Sequence, residues 1–337
     1  MPCSLSKILH AGKNHLCALS FQFTAPIVTV LIITALIGSH SFAAEDTNIL
    51  PAPKKISNHV YAWIGPLPGP SKENKGYRMN LVFVVGANAV AVLDTGYTEA
   101  MAREMLAHIG KITDTPVKYA VNTNSQPHRF MGNPVFRRAG AEIIAHRDSA
   151  ARMAGSGGNF AGAIERILEL EEGSVKIPQP PDRIISDKTQ LDLGGVSINL
   201  KNIGPAHTPA QLIAHIPEDN IVYAGDSLYG ERLLTVQPVS NIQSWLDAFE
   251  KLKAYGNATF IPGHGHPGPL KDFDFSTRQY LELLFTHMNK MVDEGVDVQD
   301  AIDRLDQSRF SKLANFKELA GRNASWAYLE REAAAFE

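Results

Sequence analysis

The order of elements in this sequence predicts an α/β (α+β layered) fold with a C-terminal helical tail. Three observations carry the prediction. Residues 89–145 alternate apolar strands with amphipathic helical spacing, the βαβ rhythm of a layered domain. Residues 183–223 hold five short, evenly spaced apolar runs with turns between them, the pattern of successive strands. From Ser276 onward the chain reads as helices.

Taken in order, a lead-in containing Pro51 and Pro53 reaches His59-Val60-Tyr61-Ala62-Trp63-Ile64-Gly65, which alternates as a half-buried strand does. Residues 66–74 read as a loop. Residues 81–85 and 89–93, joined by Gly86-Ala87-Asn88, read as a hairpin ending in Asp94-Thr95-Gly96. Met101, Met105, Leu106 and Ile109 fall at helical spacing within residues 97–112, with Thr98 as the cap. A strand at 117–121, a short helix at 135–139 and a strand at 142–145 follow. Residues 148–172 are helical in pattern but are expected to break at Gly155-Ser156-Gly157-Gly158, as a hinge over the site or, the favoured reading, a surface kink.

Strands are expected at 183–185, 190–193, 196–200, 211–215 and 221–223, then a helix at 244–254 and a strand at 259–261. Tail helices are expected at 277–293, 298–305 and 324–336. Leu281, Leu284, His287 and Met288 make one apolar-leaning face, which predicts a tail packed on the domain rather than a separate one.

With 337 residues, 44% hydrophobic and 20% charged, the chain can bury a full core. Its net charge of −3 and pI near 6.5 show no basic stripe, which argues against nucleic acid as a partner. Residues 1–43 read as a signal peptide: Lys7 and Lys13 precede an apolar run at 25–37, and Ser41-Phe42-Ala43 places small residues before a cleavage point. The expectation is a periplasmic protein with no membrane attachment after cleavage. An uncleaved anchor is the alternative, opposed by a run shorter than the ~20 residues a span needs. Both cysteines, Cys3 and Cys17, fall in this segment, so the mature protein has no disulfide framework and no Cys metal ligand. Loss of Lys7 and Lys13 leaves 30 Lys+Arg against 35 Asp+Glu, a net charge of −5.

Apolar strands that run into polar, ligand-type side chains mark the candidate site, because a sheet holds such loop residues still. The main one is Thr123-Asn124-Ser125-Gln126-Pro127-His128-Arg129-Phe130-Met131-Gly132-Asn133. Three others are Gly204-Pro205-Ala206-His207-Thr208-Pro209, Ile221-Val222-Tyr223-Ala224-Gly225-Asp226 and Phe260-Ile261-Pro262-Gly263-His264-Gly265. The Gly-x-Gly-x-x-Gly within 263–268 is no dinucleotide fingerprint, since Pro267 and Pro269 oppose the helix it must open. Gly155-Ser156-Gly157 lacks the strand-turn-helix context of a nucleophile elbow.

With Val92-Leu93-Asp94-Thr95-Gly96, these motifs give an order and spacing that resembles the metallo-β-lactamase superfamily over residues 60–268. The resemblance implies a four-layer αβ/βα sandwich spanning residues 44–270, with the site along one edge of the sheets and residues 271–337 as a helical extension. It also shows a departure. Where the family usually has Thr-His-x-His-x-Asp-His, ungapped matching places Asn124, Gln126, His128 and Arg129, while His207, Asp226 and His264 match the remaining ligand positions. The mononuclear subclass similarly carries Asn and Arg at the positions of Asn124 and Arg129, but keeps the His that Gln126 replaces. Similar helical tails occur in exported members that accompany quinoprotein dehydrogenases.

His128, His207, Asp226 and His264 are therefore the metal candidates, for one zinc ion or for iron, since two His and one carboxylate suit either. His207, Asp226 and His128 are the catalytic candidates: His207 to hold or deprotonate a water or stabilise an oxyanion, with His128 standing where the family has a carboxylate. Asp94 is expected to orient a ligand side chain from behind, and His266 to lie on the rim. The metal-free alternative pairs Arg129 with Asp226 in a two-pronged contact, with Asn124 and Gln126 bonding His207 and backbone groups. Two functions follow: an exported, single-metal hydrolase of a small ester, lactam or thioester-type substrate, or a non-catalytic protein that binds a small ligand or a periplasmic partner.

Overall fold

The computed structural model describes residues 48–335. The signal-peptide reading, with Lys7, Lys13, Cys3 and Cys17, lies outside the described residues. Among the described residues no helix is long and apolar enough to cross a membrane.

The first half builds one seven-stranded sheet. Its strands are β1 (Lys54–Lys55), β2 (Val60–Trp63), β3 (Leu81–Val85), β4 (Val90–Leu93), β5 (Val117–Asn122), β6 (Glu142–His146) and β7 (Arg183–Ile185), in that spatial order. The β1 to β4 pairs are antiparallel and the β4 to β7 pairs parallel. The switch follows from the connections, since a four-residue loop (86–89) joins β3 to β4 whereas parallel neighbours need a helical crossover. Those crossovers are α1 (Glu99–Gly110), the turn α2 (Pro127–Phe130) with α3 (Asn133–Arg138), and α4 (Arg147–Leu168). Thr98 caps α1 by accepting from the Met101 N–H, and Met101, Met105 and Ile109 bury its apolar face.

The second sheet has the order β12-β11-β10-β9-β8. Its strands are β8 (Lys188–Asp192), β9 (Ser197–Asn202), β10 (Leu212–Ile216), β11 (Ile221–Tyr229) and β12 (Thr259–His264); α5 (Ile242–Leu252) joins the last two, which pair in parallel. Val82, Val84, Leu93 and Ile144 of one sheet meet Leu200, Leu212, Tyr223 and Ile261 of the other in a core between the sheets. A second core lies under α1, α3 and α4, and a third under α5. Helices, sheet, sheet and helix thus form the four layers.

The tail comprises α6 (Tyr280–Asp293), α7 (Val298–Asp303) and α8 (Phe316–Ala335). Leu281, Leu284, Met288, Ala324 and Ala327 pack on Leu233, Leu234, Val236 and Trp245. Asn323 locks the contact: its Oδ1 accepts the Val236 N–H at 2.8 Å and its Nδ2 donates to Leu234 O at 2.8 Å. The tail therefore holds the segment that leaves β11.

Two expectations change. α4 runs without a break through Gly155-Ser156-Gly157-Gly158. Gly157 is buried, and a Cβ there would meet Ile177 Cγ2 at 2.5 Å, so a missing side chain lets the 177 segment close onto the helix. The propensity cost of each glycine is only about 1 kcal/mol, less than the packing of Met153, Ala161, Ile164 and Leu168 provides. The last helix also begins earlier than 324, at Phe316, because its polar first turns still bury Leu319 and Ala320.

Candidate functional site

The site forms where parallel strands of both sheets end. Asp94 follows β4, residues 123–129 follow β5, Asp226 lies in β11 and His264 closes β12; ligands of open α/β sheets gather outside such carboxyl ends. The β11–β12 register shifts at Gly225, a bulge that re-aims the following residue. Gly225 has φ 53°, and a Cβ there would stand 3.0 Å from the Thr123 hydroxyl and the Gln211 amide.

Asp94 adopts φ 68°, a left-handed conformation uncommon outside glycine. In it the buried carboxylate accepts the Thr123 N–H at 2.8 Å, the Tyr223 O–H at 2.6 Å and Arg129 Nη1 at 3.1 Å. Its role is to anchor the loop after β5 and to hold Arg129.

Arg129 is wholly buried between Asp94 and Asp226. Its Nε donates to Asp226 Oδ2 at 3.1 Å and its Nη2 to Oδ1, a two-pronged contact. Nη1 also donates to Tyr223 Oη at 2.7 Å and to Asn80 O at 2.9 Å. Burial alone would favour loss of its proton, but Asp226, Tyr223 and Asp94 outweigh burial and raise its pKa. For Asp226 burial likewise opposes the charge, yet Arg129 and the facing imidazoles hold the carboxyl well below its ordinary range.

His128, Asp226 and His264 present ligand atoms that all lie within 4.8 Å of one another. His128 Nε2 is 3.4 Å from Asp226 Oδ2, and His264 Nε2 is 3.4 Å from Oδ1. Both nitrogens are buried and have no hydrogen-bond partner. The His264 tautomer is fixed by its other edge: Nδ1 lies 2.7 Å from Arg78 O, and a carbonyl only accepts, so the proton is on Nδ1 and Nε2 is a bare lone pair. Burial, and then the Arg129 charge, push the His128 imidazole down to about 3. Burial and the Arg232 charge push that of His264 well below its usual value.

The other candidate residues stand around this trio. Asn124 Nδ2 donates to Asp226 Oδ2 at 2.8 Å, and its Oδ1 accepts the Gln126 N–H at 2.8 Å. Gln126 reaches Gln237 Oε1 at 2.8 Å, and Gln237 Nε2 lies 3.5 Å from His207 Nε2. Asn124 thus serves Asp226 rather than His207, and Gln126 approaches His207 only through Gln237. His207 itself is not among the groups whose ligand atoms lie within 4.8 Å of one another, and its imidazole packs near the Tyr229 and Trp245 rings, at 6.0 and 5.5 Å. Its Nδ1 donates to Thr235 O at 2.8 Å, which leaves Nε2 bare and unable to donate to an oxyanion. Burial first pushes His207 down to about 4. His266 is exposed and pairs with Glu231.

Two neutral imidazole nitrogens and an ionised carboxylate make the donor set of one zinc or non-haem iron ion. The three residues fit one such cation, since the His128 and His264 Nε2 atoms are buried without a hydrogen-bond partner and face the Asp226 carboxylate. Asp226 Oδ2 accepts from both Arg129 and Asn124, whereas Oδ1 accepts from Arg129 Nη2 alone, so Oδ1 keeps the greater lone-pair capacity for it. Among the described residues no other three His, Asp or Glu groups come close enough to share an ion.

Tyr223, Asn80, Gln211, Gln237, Arg78 and Arg232 belong to the site but were not singled out from the sequence. Tyr223 was within reach of a pattern reading, since it lies in the same strand motif as Asp226. The others come from turns and loops whose spacing has no period.

The layered fold with a His/Asp/His centre at its strand ends defines a class, and comparison identifies it. The metallo-beta-lactamase superfamily model matches residues 77–264, more than half of the chain. The chain belongs to the metallo-beta-lactamase superfamily. A linear primary-alkylsulfatase of Pseudomonas sp. (strain ATCC 19151) is 20% identical over 209 residues, covering 52% of this chain and 39% of the relative, so the match spans well under half of that protein. A type 2 metallo-beta-lactamase of Bacteroides fragilis is 21% identical over 271 residues, covering 76% of this chain and 96% of the relative. Among solved structures, a metallo-beta-lactamase from Pontibacter korlensis has TM-score 0.56 at 19% identity, covering 68% of this chain and 98% of its own. The DIM-1 metallo-beta-lactamase has TM-score 0.54 at 15% identity, covering 69% and 98%. These likenesses share the fold.

Proposed function

We propose that this protein is an exported hydrolase with one divalent cation, zinc or iron, at His128, Asp226 and His264, acting on a small ester, lactam or thioester-type substrate. The observation that carries the reading is the pair of buried, unpartnered Nε2 atoms on His128 and His264 that face the Asp226 carboxylate. A cation held by His128, Asp226 and His264 would supply a water with its pKa lowered toward ~7 and Lewis-acid polarisation of the bond under attack. The chain's own residues do the rest. Arg129 and Asn124 fix the Asp226 carboxylate in its ionised form. Thr235 O fixes the His207 proton on Nδ1 and leaves Nε2 an acceptor, which Gln237 Nε2 approaches at 3.5 Å. At about 4, His207 stays neutral near pH 7 and is a positioning acceptor more than a strong base. Arg78 and Gln237 are half-buried and are the site's reach to solvent.

The second reading is a metal-free binding protein in which Arg129 replaces the cation, and the two-pronged Arg129–Asp226 contact favours it. Metal analysis of protein purified without chelators separates the two. About one equivalent of zinc or iron, lost in His264→Ala, supports the hydrolase; no metal above background, with stability indifferent to chelator, ends it. Export belongs to the same proposal, and a mature N-terminus at Ala44 is its test.

A further inference from the structure

The tail packs on α5 but leaves a cleft of about 560 Å³ between the start of α5, the middle of α6 and the end of α8. Ile242, Phe285, Met288 and Ala327 give it apolar walls. Clefts that hold small molecules run to about 300–1,000 Å³, apolar for the most part, with a few polar groups that fix orientation. This one lies apart from the strand-end centre, since none of His128, Asp226 and His264 lines it.

The polar group that stands out is the carboxylate of Glu330, on the α8 wall. Its Oε1 accepts the Ile242 N–H at 2.7 Å, whereas its Oε2 is buried and has no hydrogen-bond partner. Among the described residues no Lys, Arg or His forms an ion pair with it. The neighbouring Arg331 gives Nη2 to Asp293 Oδ1 at 3.0 Å instead, and both of these residues line the cleft. Asp293 and Arg331 cancel, so the uncompensated charge of the cleft is that of Glu330. Burial pushes its carboxyl up to about 7, opposed only by the Ile242 N–H.

A carboxylate with an unused oxygen in a partly dry cleft is costly until a donor meets it. A protonated amine brings both the donor and the opposite charge, and a hydrocarbon body attached to it covers the apolar walls. A neutral alcohol brings the donor alone, and an anion is repelled.

We propose that this cleft is a second binding site, which takes a small molecule with a protonated amine beside Glu330 and a hydrocarbon body between α5, α6 and α8. The site is independent of the hydrolase reading and of any metal.

The test titrates the whole protein with n-hexylammonium chloride, 1-hexanol and sodium hexanoate at pH 8, where the Glu330 carboxyl is mostly ionised. Calorimetry reads the affinity, and the amide resonance of Ile242 reports on Glu330 directly, because its N–H is bonded to Oε1. Hexylammonium is expected to shift that resonance and to bind about tenfold or more tighter than hexanol, the worth of one charge-assisted contact. Hexanoate is expected not to bind. Glu330→Gln keeps an acceptor for the Ile242 N–H while removing the charge, and should lower the amine affinity to that of the alcohol. Ala334→Trp, at an exposed position on the cleft wall, fills the space without removing a buried contact and should abolish binding of amine and alcohol alike, which serves should Glu330→Gln fold poorly. Absence of amine binding, alcohol or hexanoate binding as tight as the amine, or full amine affinity in either variant overturns the site.

Discussion

Replacing Arg129 by methionine is the perturbation that most directly probes the charge balance of the centre. The guanidinium is wholly buried, bridges two carboxylates and satisfies Asn80 O. Methionine fills much of its stem volume but leaves Asp94 and Asp226 without their cation. Removing one partner from a buried pair costs about 3–5 kcal/mol, and a chain of this size loses about 2–4 °C per kcal/mol, so the unfolding temperature of chelated protein should fall by roughly 10 °C. The carboxylates then compete better for a divalent ion, because the repelling positive charge has gone. Zinc at about one hundred times its dissociation constant should restore about 2.7 kcal/mol, with tighter binding than in the unaltered protein. Urea unfolding with and without zinc, and a zinc titration, read both quantities. An unchanged midpoint in Arg129→Met refutes the role of Arg129 as counter-charge. A large loss that zinc does not relieve refutes the trio as a metal site.

Other consequences are equally concrete. His207 is held neutral at about 4 when folded and titrates near its ordinary value of 6.5 when unfolded. The unfolded chain therefore takes up the proton first, so this stability is complete above pH 6.5 and is lost as pH falls toward 4. At pH 5 the loss is about 2 kcal/mol, and His207→Asn should flatten the pH dependence of unfolding by that amount; an unaltered slope would rule out the buried neutral imidazole. A Cβ at Gly263 would stand 2.2 Å from Asp226 Oδ1 and 2.7 Å from Arg129 Nη2. Gly263→Ala should then cost about 1–3 kcal/mol and weaken metal uptake, whereas a variant as stable as the parent would contradict the packing at Asp226. Gly155 and Gly158 lie inside a continuous helix with open space at their Cβ positions. Gly155→Ala with Gly158→Ala should raise stability by about 1–2 kcal/mol in chemical unfolding; a decrease would restore the break expected from the sequence.

Much of the fold was written locally. Two continuous apolar runs joined by Gly86-Ala87-Asn88 gave the hairpin at β3 and β4, and three- and four-residue spacing gave α1 with its Thr98 cap, because turn chemistry and helix period act over a few residues. The glycine run in α4 misled for the same reason: a local penalty of about 1 kcal/mol per glycine was overruled by burial of Gly157 against Ile177, a contact no local pattern contains.

The sequence by itself determined the layered architecture, the family motifs and the residue types at the centre. Only the tertiary structure decided their partnerships. Arg129 meets Asp226, 97 residues away, and Asp94, 35 residues away, while His207 packs near Tyr229 and Trp245 outside the trio. Glu330 belongs to no motif, and its unpartnered oxygen exists only once the tail has packed on α5. Periodicity and spacing report short-range geometry, whereas ion pairing and desolvation depend on which distant groups share one buried volume.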